Sequence, residues 1–223
     1  MLQVWPSSDC RQTCTVVNDP NAFLGRYGLN DTDDLTFEEL HSGLYNGPRY
    51  AAEAVNMYIP NKEARILDVA AGTGRVAEEL QKLGYKNLDA LDPSTGMLTI
   101  AREKQLYRNH IPTFILETGT PILHDEYDGL VTSGGMGEGH IPPEAMYEMA
   151  RVVKPGGIIC IAMREEFLVS VERYKNNALE LEMLNMAKRK IWIQIARNVV
   201  PKYVFDKTGV VFAFRVVYAR WQK

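Results

Sequence analysis

Two carboxylates and two glycines, spread over a strand, a turn, a helix and a second strand, carry the first chemical signal in this sequence. Asp68 interrupts an apolar run of Ile66, Leu67, Val69 and Ala70, and Ala71-Gly72-Thr73-Gly74 follows at once. Glycines at these positions let the backbone approach a ligand closely, because no Cβ stands in the way. From Thr73 to Leu83 the apolar residues Val76, Ala77, Leu80 and Leu83 recur at helical spacing, and Gly84 is placed to stop the helix. Leu88-Asp89-Ala90-Leu91 reads as a second strand with Asp92 at its carboxyl end. In an open parallel sheet this arrangement gathers the glycine turn, a helix amino terminus and Asp92 around one crevice. A carboxylate there can accept hydrogen bonds from ribose hydroxyls, so the stretch describes a site for a nucleoside-containing ligand. The dinucleotide fingerprint requires a third small residue where Ala77 stands in place of glycine, which weakens an NAD reading without abolishing it.

A second group of candidates lies in Ser133-Gly134-Gly135-Met136-Gly137-Glu138-Gly139-His140. So many glycines disfavour both strand and helix, and the run reads as a loop at a strand end, where binding loops of such sheets lie. His140 and Glu138 are its candidates to accept a substrate proton or to orient a nucleophile. Tyr45, Arg49 and Tyr50 precede the glycine turn and are placed either to build the entrance or to clamp a ligand. Cys10 and Cys14 lack a later cysteine or histidine cluster, so no metal site is expected, and Cys160 lies in an apolar run as a buried thiol.

The elements that must position these residues follow from periodicity. Thr36 is a possible cap for a short helix over Phe37–His41, and Tyr45-Asn46-Gly47-Pro48 marks a turn. Helical spacing covers Arg49–Ile59 and a segment from Met97 to about Tyr107. Ile111–Leu116 reads as the third strand despite Pro112, Glu117–Pro121 as a loop and Tyr127–Thr132 as the fourth strand. Pro142 or Pro143 opens the next helix, Lys154-Pro155-Gly156-Gly157 is a turn, and Ile158–Met163 is the fifth strand. A long amphipathic helix is expected from about Val171 to Lys188, its core stripe including Tyr174, Ala178, Leu181 and Leu184. Alternation over Ile191–Ala196 and Val210–Tyr218 predicts a terminal antiparallel pair joined around Asp206–Gly209. The fold class is α/β: a mostly parallel seven-stranded sheet, helices on both faces and an antiparallel pair at the end.

The chain has 223 residues, 46% hydrophobic and 24% charged, which suits one large globular domain with or without a small terminal addition. A formal charge of −3 gives no sign of a nucleic-acid-binding surface. No apolar run approaches the roughly 18 residues of a spanning helix, and the three cysteines suit a reducing compartment, so a cytoplasmic protein without a membrane span is expected. Residues 1–44 read as a variable amino-terminal arm or lid and 45–223 as a single domain.

The landmarks together resemble a known family. Leu67-Asp68-Val69-Ala70-Ala71-Gly72-Thr73-Gly74, Asp92-Pro93-Ser94 with Met97-Leu98, Tyr127-Asp128 and the run from Met149 to Gly157 resemble class I methyltransferases that use S-adenosylmethionine, over roughly Tyr45 to the end. Leu44-Tyr45-Asn46-Gly47-Pro48, the compact terminal pair and the short insertions look like the methyltransferase-like protein named for the Williams-Beuren chromosomal region. The aromatic-Asp and Tyr-Asp pairs usual before this domain have no counterpart around Phe23–Asp34. The resemblance implies a Rossmann-like class I methyltransferase fold. It also implies that Asp68 and the backbone around Gly72, Thr73 and Gly74 hold the methionine portion of S-adenosylmethionine. Asp92, followed by Pro93, would hold the ribose hydroxyls, and Met97 would pack on adenine. Glu117 with Thr118 would lie near adenine in place of the usual Asp-Ala pair, and Ser133 and Gly134 would line the methionine end.

The expected reaction is methyl transfer to an acceptor, leaving S-adenosylhomocysteine, with a small molecule the first choice of substrate and a protein side chain the second. A non-catalytic S-adenosylmethionine-binding protein that organises a partner, and an NAD-linked oxidoreductase, are the alternatives. The sequence specifies no oligomeric state.

Overall fold

The computed structural model describes residues 44–217. The expected cap at Thr36, the helix over Phe37–His41, Cys10 and Cys14 lie outside the described residues. Helix α1 spans Gly47–Tyr58, with Pro48 in its first turn, where the missing N–H costs nothing. Strand β1, Ile66–Val69, and β2, Leu88–Leu91, are buried along their whole length, as parallel strands covered on both faces must be. Helix α2, Arg75–Lys82, joins them.

Helix α3, Thr95–Glu103, starts where Ser94 Oγ accepts the Met97 amide at 3.3 Å. It ends four residues before the expected Tyr107, because Gln105 turns into the left-handed region at φ 55°. That turn removes Leu106 and Tyr107 from the helix and both become buried. Strand β3 is Asn109–Ile111 rather than Ile111–Leu116. Pro112 has no N–H to pair, and the next amide, Thr113, bonds back to the Ile111 carbonyl at 2.9 Å. The apolar alternation beyond it is loop, with Ile115 buried but Phe114 and Leu116 exposed.

Strand β4 is Tyr127–Ser133, helix α4 is Ala145–Val152 and strand β5 is Val153–Arg164. The expected turn at Lys154–Gly157 is instead an irregularity inside β5, where the register passes from Tyr127 opposite Val153 to Gly129 opposite Ile158 and Gly156 takes φ 84°. In place of the single long helix expected within Phe167–Lys188 from about Val171, the segment holds two: a single turn, α5, Phe167–Ser170, which ends before Val171, and α6, Ala178–Lys188. Asn176 and Asn177, both left-handed, reset the helix phase between them. Leu179, Met183 and Met186 consequently form the buried stripe beside the expected Tyr174, while Leu181 and Leu184 are exposed.

Strands β6, Trp192–Val204, and β7, Lys207–Val216, form the antiparallel pair. The sheet order is β3-β2-β1-β4-β5-β7-β6, parallel through β5 and antiparallel from β5 to β7 and β7 to β6. The order reverses between β1 and β4, which opens a crevice at their carboxyl ends. Apolar side chains fill both faces: Leu67, Met149 and Trp192 belong to one core and Val55, Leu80 and Ala213 to the other. Cys160 is buried in β5, and burial pushes its thiol up to about 12, so it stays protonated and inert. Among the described residues no helix is long and apolar enough to cross a membrane.

Candidate active site

The chain leaves β1 through three left-handed residues, Ala70 at φ 55°, Gly72 at 54° and Gly74 at 92°. Ala70 adopts a conformation that costs a non-glycine residue about 1–2 kcal/mol, a local strain that the surrounding structure must hold. Two contacts at the carboxyl end of β2 hold it: the Ala71 amide donates to the Leu91 carbonyl at 3.2 Å, and the Gly72 amide to Oδ2 of Asp92, the next residue, at 2.9 Å. Asp92 Oδ1 accepts the Ser94 amide at 2.8 Å. Burial raises the Asp92 carboxyl, and the amides of Ser94 and Gly72 oppose that rise. Each oxygen keeps a further lone pair, which suits the paired hydroxyls of a ribose.

Asp68 is fully buried. Tyr107 donates its hydroxyl to Oδ2 at 2.5 Å, while Oδ1 has no hydrogen-bond partner. Burial first, then the Asp92 charge, push the Asp68 carboxyl up to about 7 against the Tyr107 hydrogen bond, and burial with the adjacent Asp68 raises the Tyr107 phenol well above its ordinary value. A Cβ on Gly74 would lie 2.7 Å from Leu106 Cδ1 and 3.2 Å from Tyr107 Cε2. The second glycine of the turn therefore makes room for the residues that turn in after α3. A Cβ on Gly72 would meet Met97 Sδ at 3.6 Å, so Met97 borders the same turn. Thr73 lies between the two glycines, half-buried, and Pro93 is exposed beside Asp92.

Across the crevice, Ser133 Oγ at the end of β4 lies 3.3 Å from Tyr45 Oη and 3.1 Å from Tyr203 Oη. Tyr203 donates to the Ala162 carbonyl at 3.0 Å. Gly134, at φ 72°, passes so close that a Cβ would lie 2.6 Å from Tyr45 Oη. The Arg75 guanidinium stands 5.7 Å from the centre of the Tyr45 ring, which ties the start of α2 to this wall. Gly135 continues under Ala70, whose Cβ would be 2.9 Å from one added there.

The remaining candidates are distributed differently. The Gly137 amide donates to Tyr174 Oη at 3.1 Å, and the His140 ring folds over Gly137, its Nδ1 2.9 Å from where a Cβ would be. Burial lowers the His140 imidazole below its ordinary value, against a backbone hydrogen bond and the charge of Glu138. Glu138 is exposed and its Oε2 accepts the Glu172 amide at 3.2 Å. Arg49 is paired with Glu53 at 2.6 Å, and Tyr50 donates to the Pro201 carbonyl at 2.8 Å, so these two brace α1. Glu117 and Thr118 are exposed on the loop after β3. Sequence reasoning missed Tyr107 and Tyr203, because their partners Asp68 and Ser133 are 39 and 70 residues distant and no local pattern marks the pairings.

Residues 67–161 match a family described as "Methyltransferase domain". The human protein named "Methyltransferase-like protein 27" is 33% identical over 151 residues, covering 67% of this chain and 60% of that protein. Demethylmenaquinone methyltransferase of Renibacterium salmoninarum is 36% identical over 98 residues, covering 44% of this chain and 40% of that protein. The sheet order with its terminal antiparallel pair is that of the class I S-adenosylmethionine-dependent methyltransferase fold, and the methyltransferase-domain match falls on strands β1 to β5 of it.

The chain spans between 40% and 60% of the length of those two relatives. Its fold is shared with the 1,6-didemethyltoxoflavin-N1-methyltransferase of Burkholderia thailandensis, a crystal structure with bound 1,6-didemethyltoxoflavin and S-adenosylhomocysteine, at a TM-score of 0.60 and 15% identity over 97% of this chain and 94% of that one. The glycines of the Gly72-Thr73-Gly74 turn, the buried Asp92 and the unpartnered Oδ1 of Asp68 fit S-adenosylmethionine chemically. They offer acceptors for a nucleoside's hydroxyls and a carboxylate for the ammonium group of a methionine.

Proposed function

We propose that the protein transfers the methyl group of S-adenosylmethionine to a small-molecule acceptor and releases S-adenosylhomocysteine. The observation that carries this reading is the Asp92 carboxylate holding the Gly72 amide at 2.9 Å, which sets a hydroxyl acceptor beside a turn that has no side chain in the way. In this reading Asp92, with Pro93 beside it, binds ribose, Met97 borders the adenine side, and Asp68 with the Gly72-Thr73-Gly74 backbone receives the methionine portion. Ser133, Gly134 and Tyr45 form the opposite wall, and Glu117 and Thr118 close on adenine from the loop after β3. Arg49 and Tyr50 hold α1 in place rather than clamping the cofactor.

The cofactor supplies an activated methyl on a sulfonium leaving group. Attack by an acceptor lone pair forms the new bond to the methyl carbon as the carbon–sulfur bond breaks, its electron pair staying on sulfur, and the acceptor's proton must leave. The chain's part is to align the acceptor and exclude water. His140, kept neutral by burial, is the group proposed to take that proton, and Glu138 shapes the loop through the Glu172 amide.

The names of the demethylmenaquinone methyltransferases and the bound heterocycle of the Burkholderia thailandensis enzyme support a small molecule ahead of a protein side chain. The nearer kinship with the Williams-Beuren region protein is proposed on the sequence Leu44-Tyr45-Asn46-Gly47-Pro48, the compact terminal pair and the short insertions. Residues 45–223 are proposed as one methyltransferase domain after an amino-terminal arm or lid over 1–44, and the location as cytoplasmic.

The test is formation of S-adenosylhomocysteine, followed by mass spectrometry, across a panel of quinols, phenols, amines and heterocycles, with calorimetry of S-adenosylmethionine and NAD binding alongside. Turnover with any acceptor supports the proposal. Cofactor binding without turnover across the panel points to a scaffold that organises a partner, and selective NAD binding to an oxidoreductase.

A further inference from the structure

The Tyr107–Asp68 pair has a use that the family pattern does not assign. We propose that Tyr107 is the positioning residue of the cofactor site, holding Oδ2 of Asp68 so that Oδ1 faces the α-ammonium group of the bound methionine portion. The proposal rests on the cofactor reading above and names a residue that no motif in the chain marks.

Three observations on separate elements converge on it. Asp68 Oδ1 is a buried carboxylate oxygen with no hydrogen-bond partner, which in a folded protein demands an explanation, and a cationic ligand is one. Its other oxygen is held at 2.5 Å by a phenol that burial fixes in one place. Gly74, the second glycine of the turn, admits the Tyr107 ring and Leu106 where any side chain would collide with them. The left-handed Gln105 delivers both residues there. The turn that receives the ligand and the phenol that orients the carboxylate are thus one packed unit.

A consequence follows from the charges around the pair. Asp92 just after β2 and Glu78 on α2 face it with negative charge, and Glu78 is paired with Lys104 at 2.7 Å. The His110 ring on β3 lies edge-on to Tyr107 at 5.7 Å, its imidazole lowered by burial and then by Arg102, against Asp89. In this setting Asp68 holds a proton at and below about pH 7 before the ligand binds. An ammonium group at Oδ1 favours the carboxylate, so binding releases that proton. Loss of the Tyr107 hydroxyl removes a hydrogen bond to the charged form and moves the same equilibrium to higher pH.

The test is calorimetric titration of the full chain with S-adenosylhomocysteine at several pH values between 5.5 and 8, for the wild type and Tyr107→Phe, which keeps the ring against Gly74. The wild type should lose affinity toward about tenfold per pH unit below pH 7, and Tyr107→Phe should extend that slope upward, binding about tenfold more weakly at pH 7. Titration with 5′-deoxy-5′-methylthioadenosine, which lacks the amino-acid portion, should be flat with pH and equal in the two proteins. A carboxyl carbon NMR titration of Asp68 in the ligand-free proteins should give a higher midpoint in Tyr107→Phe. Parallel profiles, weakened equally at every pH, would reduce Tyr107 to a packing residue and overturn the proposal. A wild-type profile flat across pH 7 would place the ammonium group elsewhere. Absence of binding by both ligands at every pH would instead refute the cofactor reading, and this proposal with it.

Discussion

Asp92 Oδ2 accepts the backbone amide of Gly72 at 2.9 Å, joining the carboxyl end of β2 to the turn after β1. A side chain that is itself a ligand-binding candidate is thereby part of the structure that shapes its site. Its replacement should be read on both counts.

Asp92→Ala should weaken S-adenosylhomocysteine binding by about 10- to 150-fold, the range expected for hydrogen bonds to a charged group worth about 1.5–3 kcal/mol. Asp92→Asn keeps an acceptor for the Gly72 amide and should retain more of the fold's melting temperature than of the affinity. Calorimetry and thermal unfolding of both variants check this. Equal loss of affinity and stability in the two would make Asp92 purely structural.

Asp68→Asn should stabilise the ligand-free protein above pH 7. The folded-state carboxyl titrates at about 7 against an ordinary 3.8, so its contribution to stability is complete below pH 3.8 and is lost as pH rises through 7. Ionised, the wild-type group lies buried beside Asp92 at a cost of up to about 4 kcal/mol, which the amide does not incur. Denaturant unfolding at pH 5 and pH 8 should show a partial advantage of the variant at pH 5 and the full advantage at pH 8, with cofactor binding weakened.

Gly74→Ala combines a left-handed φ of 92° with a Cβ 2.7 Å from Leu106 Cδ1, and should cost about 2–4 kcal/mol together with cofactor affinity. Gly139→Ala has φ 69° but nothing within 4 Å of the new Cβ, so about 1 kcal/mol of backbone strain is all it should cost. The difference between their unfolding midpoints measures the packing of Leu106 and Tyr107 against the turn.

His140→Ala should lower turnover by about 100-fold or more, the scale of general-base catalysis, at unchanged cofactor affinity. Burial holds the imidazole below its ordinary 6.5, so wild-type turnover should fall as pH drops through that lowered value and be level above about pH 6.5. A pH–rate profile of both proteins on an identified acceptor decides the point, and normal turnover in the variant removes His140 from the mechanism.

The sequence by itself determined the order of the central elements, the glycine turn and the place of Asp92, because each is written in local spacing: apolar runs of strand length, helical periodicity and small residues where a ligand approaches. It also located the loop after β4. Where it went astray, the deciding groups were backbone conformations that few residues adopt. Left-handed Gln105 ended α3 early, the left-handed asparagines at 176 and 177 split a helix and rotated its buried face from Leu181 and Leu184 to Met183 and Met186, and Pro112 cut β3 short.

Only the tertiary structure decided what surrounds the two key oxygens of Asp68 and the hydroxyl of Ser133. Tyr107 reaches Asp68 across 39 residues and Tyr203 reaches Ser133 across 70. Such contacts exist because parallel pairing of β1 with β2 and β4 brings distant strand ends to one edge of the sheet, and no local interaction encodes which side chain the chain's return path will set there.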